Sequence, residues 1–274
     1  MCFTFDVAQQ GKVLINSHRG DSLNCPENTM PAFVSALEAK TSCIEIDIAM
    51  TSDNHLVVIH DPSIDRTSNG KGYVEQMTLA ELQQFDYGHW FSATFENTKI
   101  LEYRTLLNWA IKNDVGLVVE TKQRRRHQEF AEVFVALMRE VPDAISHVQL
   151  LGFDHTLVNR AKLLLPELKI QVVTLARYKN QIDAVIESNA DCVCFEYPHA
   201  HIDDLRAYKA AGLCTRLYLP TKEIDTTEWF NEHFGYDVHS EIIEWLKLGL
   251  IDMISHDDIE MLKRLAKQAD LIAI

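Results

Sequence analysis

A chain of 274 residues, 47% of them hydrophobic, can bury a full core, as one large domain or as two small ones. Its formal net charge of −14 repels nucleic acid and anionic membranes, which excludes a general binder of either; an anionic substrate would need a local positive site. The six cysteines form no C-x-x-C pair, Met1 to Asn16 carries no export-type charged and apolar blocks, and no apolar run reaches ~18 residues, so we expect buried free thiols, a cytoplasmic location, no nucleic-acid partner and no stable membrane insertion.

Short β-branched or apolar runs recur at 13–17, 43–49, 116–121, 147–151, 169–174, 191–196, 213–219 and 251–255. They are nearly continuous in apolar residues, as strands buried on both faces should be. Helical patterns lie between them, at 29–39, 103–113, 127–140, 155–165, 180–188, 202–211, 240–248 and 257–267. The 127–140 segment places Phe130, Val133, Phe134, Leu137 and Met138 on one stripe. Such alternation predicts a parallel sheet, and eight repeats in about 260 residues predict a closed (β/α)8 barrel forming a single α/β domain. A doubly wound open sheet is the alternative, but Ser17-His18-Arg19-Gly20 after the first strand has one glycine and is no glycine-rich phosphate loop.

Two charge pairs stand within these strands. Residues i and i+2 of a strand share a face, so Glu45 and Asp47 project together, as do Glu120 and Lys122. Such a group is costly to desolvate without partners. Hard divalent cations take oxygen ligands of this type, and a lysine beside them suits a phosphate. Either pair alone also reads as a salt-bridge cluster at a sheet rim. Barrels of this class work at the C-terminal ends of their strands. His18 ends the first strand, Glu45 and Asp47 the second, Glu120 and Lys122 the third, so the reactive types collect at one predicted mouth.

Several motifs occur in order: His18-Arg19-Gly20, Pro26-Glu27-Asn28-Thr29, Glu45-Ile46-Asp47 and Val57-Val58-Ile59-His60-Asp61, then Asp65-Arg66-Thr67, Gly70-Lys71-Gly72, Thr78-Leu79-Ala80-Glu81-Leu82 and Glu120-Thr121-Lys122. In this series the chain resembles the glycerophosphodiester phosphodiesterase family, densely from about residue 13 to 122. The resemblance implies metal-assisted cleavage of a small-molecule glycerophosphodiester to glycerol phosphate and an alcohol. It implies Glu45, Asp47 and Glu120 as ligands of one divalent cation, His18 and His60 as catalytic acid and base, and Arg19 and Lys122 as phosphate-binding groups. All-oxygen ligands favour Mg²⁺ or Ca²⁺ over zinc. With the cation in place, the three acids, Arg19 and Lys122 carry one net positive charge; without it they would repel a phosphodiester.

Other residues have plainer expected roles. Arg19 should pair with Glu27, Asn28 or Thr29 should cap a helix, and Asp61 should orient His60. Arg124-Arg125-Arg126 should be a solvated helix start. His199-Ala200-His201 lacks the carboxylates of a metal site. The chain departs from the family at Tyr218-Leu219-Pro220-Thr221, which replaces Trp-Thr-Val-Asn, and at Gly152-Phe153, which replaces Ser-Phe. An acidic, aromatic insert at 223–238 reads as a helical lid packed on its own scaffold, or as one that contacts the leaving alcohol. Glu196 and Tyr218 complete a possible substrate pocket, with Glu196 either paired to Arg216 or facing a cationic headgroup. A lysolipid-cleaving, phospholipase D-like or sphingomyelinase D-like barrel is the rival reading, and a non-catalytic metal-stabilised binding barrel is another. Oligomeric state is left open.

Overall fold

The computed structural model describes residues 3–219 and 226–274, so Cys2, Pro220, Thr221 and the first residues of the 223–238 insert lie outside the described residues. Eight parallel strands form the frame: β1 Lys12–His18, β2 Cys43–Met50, β3 Gly116–Thr121, β4 Val148–Gly152, β5 Lys169–Thr174, β6 Cys192–Glu196, β7 Cys214–Tyr218 and β8 Met253–His256. Each pairs in parallel with the next, and β1 closes on β8 through Leu14↔Met253 to Ser17↔His256. The (β/α)8 barrel expected from the alternation is the observed fold.

The returning helices are α1 Met30–Glu38, α2 Tyr103–Lys112, α3 His127–Glu140, α4 His155–Leu164, α5 Gln181–Ile186, α6 Ile202–Ala210, α7 Val238–Lys247 and α8 Ile259–Gln268. Short polar side chains start several of them. Asp154 accepts from the Thr156 and Leu157 amides, and Asp258 from the Met261 amide. On α3 the buried stripe is Phe130, Ala131, Phe134, Val135, Leu137 and Met138; Val133 is half-buried.

Period-2 alternation splits the apolar strand residues into two cores. Ile44, Ile46, Ile48, Leu117 and Val119 face the helices. Leu14, Cys43, Val118, Leu151, Val173, Cys192, Cys194, Cys214 and Met253 face inward and meet Phe5 and Val7, which close the N-terminal end of the barrel. Phe3 stacks edge-on to Phe5 and presses so close to Gly116 that a Cβ there would lie 2.2 Å from its ring and displace it. The five described cysteines are free thiols.

The structure departs from the expected plan at β2. This strand runs past the rim to Met50 and pairs antiparallel with a short strand, Leu56–Val58, which pairs with Leu101–Glu102. Glu45 and Asp47 therefore stand mid-strand. Between these strands, residues 59–100 build a small satellite core around Ile59, Ile64, Val74, Leu82 and Tyr87. Strands of two and three residues carry too little pattern to be seen in sequence. No described helix is long and apolar enough to cross a membrane.

Candidate active site

The first βα turn is strained in a useful way. Arg19 (φ 59°) and Gly20 (φ 84°) take consecutive left-handed conformations, and a Cβ on Gly20 would fall 2.8 Å from the Ala32 backbone. The turn folds Arg19 back over the mouth, where its amide donates to the Glu45 carbonyl at 2.9 Å. Its guanidinium donates to Glu27 at 2.9 Å and lies 3.1 Å from Asp47, so the expected Glu27 pair forms alongside a second contact. Asn28, also left-handed, is no helix cap: its amide donates to Asp47 Oδ2 at 2.8 Å. Thr29 occupies the N-cap position, but its hydroxyl donates to the Pro26 carbonyl instead.

Glu45, Asp47 and Glu120 are all buried, and each offers an oxygen within 4.8 Å of the others'. Register explains this, since Asp47 stands opposite Glu120 on neighbouring strands. Lys122 Nζ bonds Glu120 and lies 3.2 Å from Asp47 Oδ1. That contact lacks hydrogen-bond alignment, so Asp47 Oδ1 is a buried carboxylate oxygen without a hydrogen bond. An orphaned oxygen amid three carboxylates fits a hard divalent cation. Burial works against charge on Asp47, yet Lys122 and Arg19 prevail and hold it well below the usual carboxylate range. Burial and the Asp47 charge push Glu45 up to about 8, and they raise Glu120 too.

The hairpin that extends β2 also delivers His60. The Ile59 amide donates to the Asp47 carbonyl at 2.9 Å, which brings the following residue back over the mouth. His60 Nδ1 meets Asp61 at 2.7 Å, as expected, and Arg66 clamps Asp61 and Glu27 together with bonds of 2.7–3.0 Å. The Arg66 hydrogen bonds, with His60's, hold Asp61 at about 2. His18 Nδ1 meets Asp257 at 2.6 Å, and its Nε2 faces Glu45 at 3.8 Å. Burial lowers both histidines below their ordinary value; carboxylates oppose this and Arg19 assists it. In the neutral tautomer that donates from Nδ1, each ring leaves Nε2 free to accept a proton.

These groups line one cleft with two lobes, of about 170 and 450 Å³, which share His18, Arg19, His60 and Tyr218. Tyr218 packs edge-on to His18 at 5.2 Å, and Lys122 lies 5.7 Å from the Phe153 ring centre. Glu196 stands on the same wall, in register with Tyr218. Arg216 donates to Gln171 and Ser255. A larger depression of about 700 Å³ lies beside helix Thr227–Phe234, around Tyr197, Phe230 and Tyr236, but it gathers none of the groups above. The insert's aromatics pack on one another and on Tyr197, and none of its described residues lines the cleft. Arg124 and Arg125 are exposed just before α3, as expected, while Arg126 at its N-cap bonds Glu129, Asn54 and the Thr51 carbonyl, fastening the β2 loop.

Sequence reasoning missed Asp257, Arg66 and the Asn28 contact. Asp257 lies 239 positions from its partner His18, so no local spacing could pair them. Asp65-Arg66-Thr67 was visible as a motif, without its two acidic partners.

Comparison with known proteins follows this geometry. A glycerophosphodiester phosphodiesterase of Caldanaerobacter subterraneus subsp. tengcongensis is 35% identical over 160 residues, covering 58% of this chain and 65% of the relative, a little under two thirds of its length. The fold matches a glycerophosphodiester phosphodiesterase crystal structure from Agrobacterium tumefaciens with TM-score 0.73 and 24% identity, over 93% of this chain and 99% of that one. It also matches an Oleispira antarctica phosphodiesterase, in complex with the product sn-glycerol-3-phosphate, with TM-score 0.76 and 19% identity over 95% and 99% of the two chains. At these identities the structural matches speak for the fold. The family model described as glycerophosphoryl diester phosphodiesterase matches residues 18–261, from the first catalytic candidate into the last helix, and the chain belongs to that family.

Proposed function

We propose that the protein hydrolyses water-soluble glycerophosphodiesters to glycerol 3-phosphate and an alcohol, with His18 and His60 as proton carriers. One observation carries this reading: two His–Asp pairs, His18–Asp257 and His60–Asp61, converge on the acid trio at one barrel mouth. Glu45, Asp47 and Glu120 would hold the divalent cation, Mg²⁺ or Ca²⁺, which when bound supplies charge stabilisation for the developing phosphorane.

The chain's own groups do the rest. Arg19 and Lys122 take the non-bridging phosphate oxygens by charge-assisted hydrogen bonds. One histidine accepts a proton at Nε2 from the attacking water, or from the neighbouring glycerol hydroxyl in a route whose cyclic phosphate water then opens, as the new P–O bond forms. The other gives a proton from Nε2 to the leaving alkoxide as the old P–O bond breaks, so protons and charge balance over the turnover. Asp257 and Asp61 hold the rings so that each Nε2 points into the cleft. Burial keeps the resting histidines neutral, which favours the base role and requires the acid to gain its proton with substrate present. Tyr218, Phe153 and Glu196 flank the space left for the alcohol. The acidic chain and its buried thiols support the cytoplasm as its place of work.

The test is a panel of glycerophosphodiesters and a lysolipid offered to the purified protein with Mg²⁺, Ca²⁺ or chelator. Glycerol 3-phosphate release should require the ion, and His18→Ala and His60→Ala should each lower it by roughly 10²–10⁴-fold. Turnover of lysolipid alone, or full activity in both variants, would refute the proposal.

A further inference from the structure

Beneath the acid trio lies a charge with no part in the scheme above. Arg216 projects inward from β7 and is the largest of the fully buried side chains. Nη1 donates to Gln171 Oε1 at 3.2 Å, Nη2 to Ser255 Oγ at 2.9 Å, and Nε has no hydrogen-bond partner. The next links, Ser255 to Asn16 and Gln171 to Gln149, are also neutral. Among the described residues its hydrogen-bond partners are these neutral groups, not carboxylates. Other inward positions here are apolar or thiol: Leu151, Val173, Cys194 and Met253.

A charge buried against neutral partners costs several kcal/mol unless a field compensates it. Cys194 and two of the trio, Glu45 and Glu120, favour the Arg216 charge, and Arg216 in turn favours the charge on both acids. Arg216 also lines the same cleft as Glu45 and Glu120. The trio therefore stands at a mouth with three fixed cations, Arg19, Lys122 and Arg216, and Glu196 on the same wall.

We propose that Arg216 is an internal countercharge to the acid trio, weakening its hold on a divalent ion and strengthening the ion-loaded site's hold on phosphate. The inference rests on reading the trio as an ion site. Arg216 touches no reacting atom; it acts through the carboxylates above it. With the ion bound, Arg216 adds one positive charge to a site that must hold a doubly ionised phosphomonoester product.

The experiment titrates metal-free protein with Ca²⁺ and with Mg²⁺ by calorimetry, for wild type, Arg216→Met, Arg216→Lys and Ser255→Asp. Each ion-loaded protein is then titrated with glycerol 3-phosphate. Arg216→Met deletes the charge, and Ser255→Asp cancels it in place, 2.9 Å from Nη2. Both should bind the ion about tenfold or more tightly and glycerol 3-phosphate about tenfold or more weakly, since ~1.4 kcal/mol of lost repulsion suffices. Arg216→Lys should match wild type. A merely structural arginine predicts the opposite sign, weaker ion binding in every variant. Should Arg216→Met fail to fold by circular dichroism, Ser255→Asp carries the test. Ion affinity unchanged or weaker in a folded variant overturns the inference alone; a wild-type protein that binds no divalent ion overturns it together with the reading of the trio.

Discussion

Replacing Asp257 by asparagine should slow the reaction without unfolding the barrel. The 2.6 Å contact to His18 Nδ1 joins side chains only 24% and 13% exposed, so solvent screens it little. A charge-assisted hydrogen bond in such a place contributes about 2–3 kcal/mol, which is roughly 30- to 150-fold in kcat/KM if it is fully felt in the transition state. The loss should appear in kcat, because Arg19 and Lys122 stay in place. The sign of the pH effect follows too. Burial lowers the His18 pKa while Asp257 raises it through its hydrogen bond and its charge. Without Asp257 the pKa falls further, and the limb of the rate profile that His18 sets moves to lower pH. Steady-state kinetics over pH 5–9, with the same change repeated in a His18→Ala background, measures both effects. If Asp257→Asn costs the same factor when His18 is absent, the two residues do not act as a unit and the argument fails.

Two further outcomes follow from the same site. Arg66 is 44% exposed, so Arg66→Met should cost under about 1 kcal/mol of stability, yet it frees Glu27 and Asp61 and should lower kcat/KM by about tenfold; unchanged kinetics would remove Arg66 from the site. In metal-free protein the Glu45 pKa is raised from 4.5 to about 8 by burial and Asp47, so its contribution to stability is complete below about 4.5 and is lost as pH rises through 8. Thermal melts with chelator should fall between pH 5 and 8.5 relative to Glu45→Gln by a few kcal/mol, and saturating Ca²⁺ or Mg²⁺ should abolish the difference. Parallel curves for the two proteins in chelator would contradict the buried-charge account.

Much of the architecture was legible because parallel strands buried on both faces leave unbroken apolar runs, and amphipathic helices leave a 3.6-residue stripe. The bounds of β3, β5 and α3 could be read directly as 116–121, 169–174 and 127–140. The acid trio was legible for the same reason, since period 2 puts Glu45 with Asp47 on one face. What stayed hidden depends on closure or on very short pairing. Asp257 reads locally as the start of a helix, and only the β1–β8 seam brings it to His18. Arg216 sits two residues before Tyr218, so parity alone assigned both to the same face. Its burial among neutral groups was not readable. The strand Leu56–Val58 overlaps the Val57-Val58-Ile59-His60-Asp61 motif, but nothing in three residues announces the hairpin that carries His60 inward.

The His18–Asp257 contact straddles the seam where the first barrel strand meets the last. Every other proposed catalytic group is encoded before residue 123, so a nascent chain could gather acids and histidines long before synthesis ends. It would still lack the carboxylate that aims His18. Completion of the ring thus also completes the aim of His18, and a chain short of β8 works with a slower base or acid.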